Sequence, residues 1–298
     1  MTHNIFREPE PGFVAHTAGS SLLVRNGGIR DWVAYTTGET YPASAKLVEA
    51  TKKWGASEAR DETAWSLAND TSQTMFEAIA DDPARAQRFA NVMTDMTSTE
   101  GYNIRHLVHG FAWDQLQAGS LVVDVGGSTG HASKAILQQA RDLKFLVQDR
   151  PEIVAQGNDL LSQEDDEHMR GAISFEVHDF FTVQAPRHAA VYLMRFILHD
   201  HPDPQAIQIL RSIVPALESG SRLVVMDGIL PEPNTLLKTE ERTIRIMDCE
   251  MMTTFNSRER ELSDWRALFS AADSRLQLHN AVKPPGSVNS VMEVVFEG

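Results

Sequence analysis

The sequence has 298 residues, 42% hydrophobic and 23% charged, the makeup of an ordinary globular protein with room for one large domain or two modest ones. Lys and Arg number 27 against 41 Asp and Glu, and the net charge of −14 repels nucleic-acid phosphates and anionic lipid, which leaves a small molecule as the expected ligand. Cys249 is the one cysteine, so the chain can form neither an internal disulfide nor a thiolate zinc cage.

Residues 1–9 contain no apolar signal core, and no uncharged apolar run of 18 residues occurs anywhere in the chain, so a cytoplasmic protein with no membrane partner is expected. Short extended stretches at 5–7 and 13–16 flank Pro9-Glu10-Pro11-Gly12 and predict a hairpin, with Thr17 as the N-cap of a helix directly after it. From there to about Gly110 the apolar residues, among them Trp32, Leu47, Trp65, Phe76, Phe89 and Met96, recur at helical spacing. The pattern then changes. Leu-Val-Val-Asp-Val at 121–125, Lys-Phe-Leu-Val-Gln at 144–148, Ala-Ala-Val-Tyr-Leu-Met at 189–194 and Arg-Leu-Val-Val-Met at 222–226 are strands apolar on both sides, separated by amphipathic helical stretches at 131–140 and 204–217. Such alternation predicts a parallel sheet covered on both faces, with Met292–Phe296 expected as a closing edge strand. The predicted division is a mostly helical region over 1–110 and a Rossmann-like α/β region over 111–298.

The first of these strands runs into Gly126-Gly127-Ser128-Thr129-Gly130, where glycines permit a tight turn and close approach of a ligand at the carboxyl end of a sheet. The second ends at Asp149, 25 residues past Asp124, in the place where a carboxylate accepts both ribose hydroxyls, so the ligand should contain a nucleoside. NAD and S-adenosylmethionine both qualify. Asp124, inside the strand, separates this loop from the three-glycine dinucleotide pattern. His178-Asp179-Phe180-Phe181 follows the apolar run at 173–177 and supplies an acid for an adenine amino group and an aromatic for its ring, or simply a capped turn. The string 192–203 delivers Arg195, His199, Asp200 and His201 to the same sheet edge.

In this order, with Asp-Val-Gly-Gly-Ser-Thr-Gly at 124–130, Asp149 before Arg150-Pro151, Arg-Phe-Ile-Leu-His-Asp at 195–200, Met226-Asp227-Gly228 and Arg258-Glu259-Arg260, the motifs resemble the plant and fungal small-molecule O-methyltransferases of the caffeic acid type. The fungal branch of secondary metabolism is the most similar. The resemblance implies a class I methyltransferase domain behind a partial winged-helix region, S-adenosyl-L-methionine as cofactor, and a phenolic, aromatic or polyketide-like small molecule as substrate. It makes His199 the general base, Glu259 the acid that holds its imidazole, and Asp227 the second orienting acid, one methylene shorter than the family's usual Glu. It places Gly126, Gly127, Ser128, Gly130, Asp149, Arg150, Asp179 and Phe180 around the cofactor, with Arg195 where the family commonly has Lys and His201 where it has Trp. Phe89, Met93, Met96, Met251 and Phe255 would face the substrate, although apolar residues at this spacing are equally core.

A histidine titrating near neutrality suits removal of a proton from a phenol, and the transfer itself needs mainly positioning. The string His199-x-His201-x-Asp203 mimics the start of a dinuclear zinc site, but Pro204 stands where its final histidine belongs, and no metal is expected. Two rivals keep the fold: a scaffold enzyme that binds the cofactor but catalyses a pericyclic or dehydrative step, and a non-enzymatic partner. Relatives of this type carry helices ahead of the wing that form much of a homodimer interface. This chain begins close to the wing, which predicts a shortened or alternatively started form or a different assembly.

Overall fold

The structure, a computed structural model, describes residues 1–185 and 187–298. Strands β1 (Phe6–Glu10) and β2 (Phe13–His16) form the antiparallel hairpin, turning at Gly12, whose φ of +85° is open to glycine at no steric cost. Thr17 caps the next helix as predicted: its hydroxyl accepts from Ser20 N, and the Ser20 hydroxyl accepts from Thr17 N at 3.0 Å. Helices Ala18–Arg25, Gly27–Tyr35, Tyr41–Trp54, Ala64–Ala68, Met75–Ala80, Pro83–Ser98 and Arg105–Gly110 follow. Gly27–Tyr35 passes into Tyr41–Trp54 through a single π turn, Thr36–Thr40. This region has its own small core of Ala43, Trp65, Met75 and Ile79, to which Phe255 is added from the helix Lys238–Phe255.

The remainder is built on seven strands: β3 (Leu121–Val125), β4 (Lys144–Asp149), β5 (Ile173–Val177), β6 (Val191–Arg195), β7 (Arg222–Asp227), β8 (Leu276–Val282) and β9 (Ser290–Phe296), in the spatial order β5-β4-β3-β6-β7-β9-β8. The first five are mutually parallel, and β9 is antiparallel to both β7 and β8. Every residue of β6 is buried, as are Val122–Val125 and Leu223–Asp227, which explains their unbroken apolar sequence. One face packs on helices Asp203–Ile213 and Leu262–Ala272, and the other on His131–Gln139 together with Leu107, Val108 and Trp113. Among the described residues no helix is long and apolar enough to cross a membrane.

One strand lies differently from expectation. The segment around Met292–Phe296 does not close the sheet; β9 is enclosed between β7 and β8, with Met292 and Val294 fully buried. The outer strand is β8, whose alternating Leu276-Gln277-Leu278-His279 turns one face to solvent, a period-2 signal too short to stand out beside the apolar strands.

Chain order reverses direction at β3, which has β4 on one side and β6 on the other. The crevice above its carboxyl end is where open α/β sheets receive ligands, and β3, β4, β6 and β7 deliver their final residues to that edge.

Candidate active site

The glycine loop leaves β3 in a conformation that larger residues would obstruct. Gly126 and Gly130 have φ of +68° and +78°, and Ser128 takes +52° between them. A Cβ at Gly126 would lie 2.5 Å from Ile197 Cδ1, and one at Gly127 would lie 2.5 Å from the Asp124 carboxyl carbon. Gly126 N and Gly127 N both donate to the Gln148 carbonyl, at 2.8 and 3.2 Å, tying the loop to β4. Asp124 itself is buried, accepts from the Ser133 hydroxyl at 2.6 Å, and is pushed by burial up to about 6.

Asp149 is fastened from two sides. Its Oδ2 accepts from Ser128 N and its Oδ1 from Arg150 N, each at 2.8 Å, while burial raises its pKa against those bonds. A carboxylate has about four acceptor sites, so two remain for a ligand. The Arg150 side chain turns outward to Glu152 at 3.3 Å. Asp179 is exposed and accepts from Phe181 N at 3.0 Å, which is the turn-capping alternative, whereas the Phe180 ring reaches to within 3.8 Å of where a Gly126 Cβ would be. The Phe180 and Phe181 rings meet His201 edge-on at 5.6 and 5.3 Å. Burial and the nearby cations hold His201 down at about 3, so its ring is neutral and packs where the family has Trp.

Arg195, at the end of β6, donates to His131 Nε2 at 3.1 Å and to the Tyr102 carbonyl at 3.0 Å. Burial and this guanidinium hold His131 down at about 4, as an acceptor must be. Nε of Arg195 is buried without a protein partner among the described residues. Next in the chain, Phe196 has φ of +56° while its N–H still donates to Met226 O at 3.2 Å, so the strand pairing continues as the backbone swings away. A residue this bulky in the left-handed region is strained, and the surroundings must enforce it.

The turn Leu198–Asp200 then presents His199, only 7% exposed. Nδ1 of His199 pairs with Glu259 Oε1 at 3.0 Å, and Asp200 Oδ1 lies 3.5 Å from Nε2. Both oxygens of the fully buried Asp227 lack a protein partner among the described residues, so this acid acts on the imidazole through charge. Burial disfavours the imidazolium, but Asp200, Asp227 and Glu259 together outweigh it and carry His199 up to about 10. Burial in turn pushes Asp227 up to about 7 and Asp200 to about 6. His199, Asp200 and Asp227 share protons as one unit.

The turn is held by a clamp that sequence reading did not identify. Arg260, wholly buried, donates to the carbonyls of Leu198 at 2.9 Å and His201 at 2.7 Å and pairs with Asp203. Ser257 donates its hydroxyl to the His199 carbonyl at 2.6 Å. Gly228 was also missed; Glu259 Oε2 occupies the space its side chain would fill, 2.3 Å from an added Cβ. Only the Arg-Glu-Arg triplet and the Asp-Gly pair signalled these in sequence, and their partners are tertiary.

Residues 52–274 match the O-methyltransferase domain family. The chain belongs to the O-methyltransferase family. "O-methyltransferase VdtC" of Byssochlamys spectabilis is 42% identical over 296 residues, covering 99% of this chain and 68% of that protein. Among solved structures, LepI in complex with SAM superposes with a TM-score of 0.78 at 24% identity, covering 99% of this chain and 74% of that one. The O-methyltransferase NcsB1 of neocarzinostatin biosynthesis, bound to S-adenosylmethionine and 2-hydroxy-5-methyl naphthoic acid, gives 0.79 at 22% identity, covering 99% and 82%. The fold is therefore the class I methyltransferase fold, and the enzymes it resembles in sequence methylate oxygen. The glycine cradle, the two open acceptor sites of Asp149 and the orphaned Nε of Arg195 fit the family's S-adenosylmethionine.

Proposed function

We propose that this protein transfers a methyl group from S-adenosylmethionine to a phenolic hydroxyl of an aromatic, polyketide-like substrate, with His199 as general base. The observation that carries the reading is the buried His199–Glu259 pair, joined at 3.0 Å, above the crevice at the carboxyl end of β3. With Nδ1 engaged, Nε2 is the nitrogen that carries the exchanging proton, and the enzyme–phenol pair must lose one proton overall before transfer. The bound cofactor supplies a methyl group already activated on a positively charged sulfur.

The chain's own residues do the rest. Asp149 holds the ribose, the loop 126–130 shapes the cradle, and Phe180 with His201 walls one side of it. Glu259 fixes the imidazole ring. Asp200, Asp227 and Glu259 favour the imidazolium, so that in the complex the proton rests on His199 and the substrate oxygen is left as phenolate. Raised to about 10, His199 is matched to a phenol, whose ordinary pKa is also about 10. Labelled cofactor incubated with a panel of phenols tests this: His199→Ala should lower kcat by roughly 10²–10⁴ while binding S-adenosylhomocysteine normally. Equal slow methylation by both proteins overturns the base assignment.

A second reading is favoured by the unpartnered carboxylate of Asp227 and by His201 in the place of Trp. A protein with the same fold is described as "A Pericyclic Reaction enzyme", with a TM-score of 0.79. On that reading the cofactor is a positive scaffold and is not consumed. Product formed without stoichiometric S-adenosylhomocysteine decides for it.

A further inference from the structure

The helical region carries a second polar group that the methyl-transfer chemistry does not use. Glu250, on the helix Lys238–Phe255, accepts through Oε1 from the Thr40 hydroxyl at 3.0 Å and, one turn on, from Thr254 at 3.5 Å. Its Oε2 has no protein partner among the described residues, and burial raises its pKa. Thr40 reaches it from the π turn, an insertion that recurs at functional sites in helices. Glu39 in the same turn is well engaged, accepting from Nε and Nη2 of Arg85 at 2.9 and 2.7 Å and from the Trp65 indole N–H at 2.9 Å. It anchors the turn. Glu250 is anchored on one oxygen only.

Tyr35 enters from the preceding helix. Its hydroxyl has a single protein partner among the described residues, the Met75 sulfur at 3.7 Å, a weak acceptor. Its pKa is well above the ordinary value through burial and the carboxylates of Glu250, Glu39 and Asp200, so it is a phenol O–H at any physiological pH. Asp200 is the acid beside Nε2 of His199. Beside this line of oxygens runs a wall of rings: Tyr35 to Phe89 at 5.8 Å, Phe89 to Phe76 at 5.9 Å, and Phe76 stacked on Phe255 at 5.3 Å. These partly buried rings pack on the core of Ala43, Trp65, Met75 and Ile79, and beside them stand one donor with only a weak partner and one carboxylate oxygen with none among the described residues.

We infer that Tyr35 and Glu250 recognise a second hydroxyl on the aromatic substrate, distinct from the one His199 deprotonates, and so select polyhydroxylated ring systems. A phenolic O–H can accept from Tyr35 and donate to Glu250 at once. Loss of that hydroxyl, or its methylation, leaves the second oxygen of the half-buried Glu250 without a partner, and sites built around a hydroxyl reject analogues lacking one.

The inference rests on the methyl-transfer reading, and its test separates the two. Binding of 1-naphthol and of a set of dihydroxynaphthalenes is measured by calorimetry with S-adenosylhomocysteine present, for wild type, Tyr35→Phe and Glu250→Gln, with methyl transfer to each compound followed in parallel. The wild type should bind at least one diol about tenfold tighter than 1-naphthol, and each variant should bring that ratio to within about twofold of unity. A wild type without preference, or variants that keep the ratio, overturns the assignment. The ratio present without methyl transfer overturns the methyl-transfer reading, and transfer without the ratio overturns the role of Tyr35 and Glu250.

Discussion

Glu259 reaches His199 because residue 228 has no side chain: a Cβ there would sit 2.3 Å from Oε2 of Glu259. Gly228 directly follows Asp227 at the end of β7, so the strand that brings one acid to the site also makes room for the other. Gly228→Ala should therefore displace the Glu259 carboxylate and loosen the imidazole. We expect kcat to fall ten- to a hundredfold, an appreciable share of what general-base catalysis contributes, with affinity for S-adenosylhomocysteine held within about twofold. Steady-state kinetics beside calorimetry checks this, and an unchanged kcat would falsify the positioning role of Glu259.

The pH dependence arises from the same cluster. Carboxylates raise the His199 pKa to about 10, so the proton that must leave the enzyme–phenol pair before transfer is held tightly, and kcat/KM should rise with pH from neutrality through pH 9. The Asp227 carboxylate makes no hydrogen bond among the described residues, so Asp227→Asn removes charge without removing a side-chain hydrogen bond. One fewer negative charge favours neutral imidazole, and the His199 titration seen by NMR, together with the rise in rate, should move to lower pH. Movement to higher pH contradicts the assignment of charges.

The two oxygens of Asp149 accept from Ser128 N and Arg150 N, which ties to the glycine loop the acid proposed to hold the ribose. Asp149→Asn keeps one acceptor oxygen and replaces the other with a donor that faces a backbone N–H. The dissociation constant for S-adenosylhomocysteine should rise about tenfold or more, roughly the loss of one charge-assisted hydrogen bond. Calorimetry at matched thermal stability measures it, and a change below twofold counts against the ribose role.

Much of this was legible in the residues themselves. β3, β6 and β7 are apolar on both sides because they lie in the middle of a covered sheet, and the glycine loop stands out because its φ values exclude most side chains. His199 and Glu259 are 60 positions apart, and only the ordered motifs joined them before the structure did. Arg260 and Ser257 escaped because their partners are backbone carbonyls, which leave no trace in sequence. Tyr35 and Glu250 escaped for another reason: a tyrosine and a glutamate at helical spacing look like any amphipathic surface until a π turn brings Thr40 against one of them. β9 looked terminal because it is last in the chain, and its neighbour β8 carries a weak alternating signal.

That enclosed position of β9 has a consequence for biosynthesis. The ribosome releases β7 some sixty residues before β9, yet β9 is the strand that must pair with it, and among the described residues β8 pairs with β9 alone. Until β9 emerges, the nascent sheet has an unsatisfied apolar edge along β7, the strand that ends at Asp227. The sheet edge along β7 is therefore completed well after β7 itself is made, and an unpaired apolar strand edge of this kind invites aggregation while it waits.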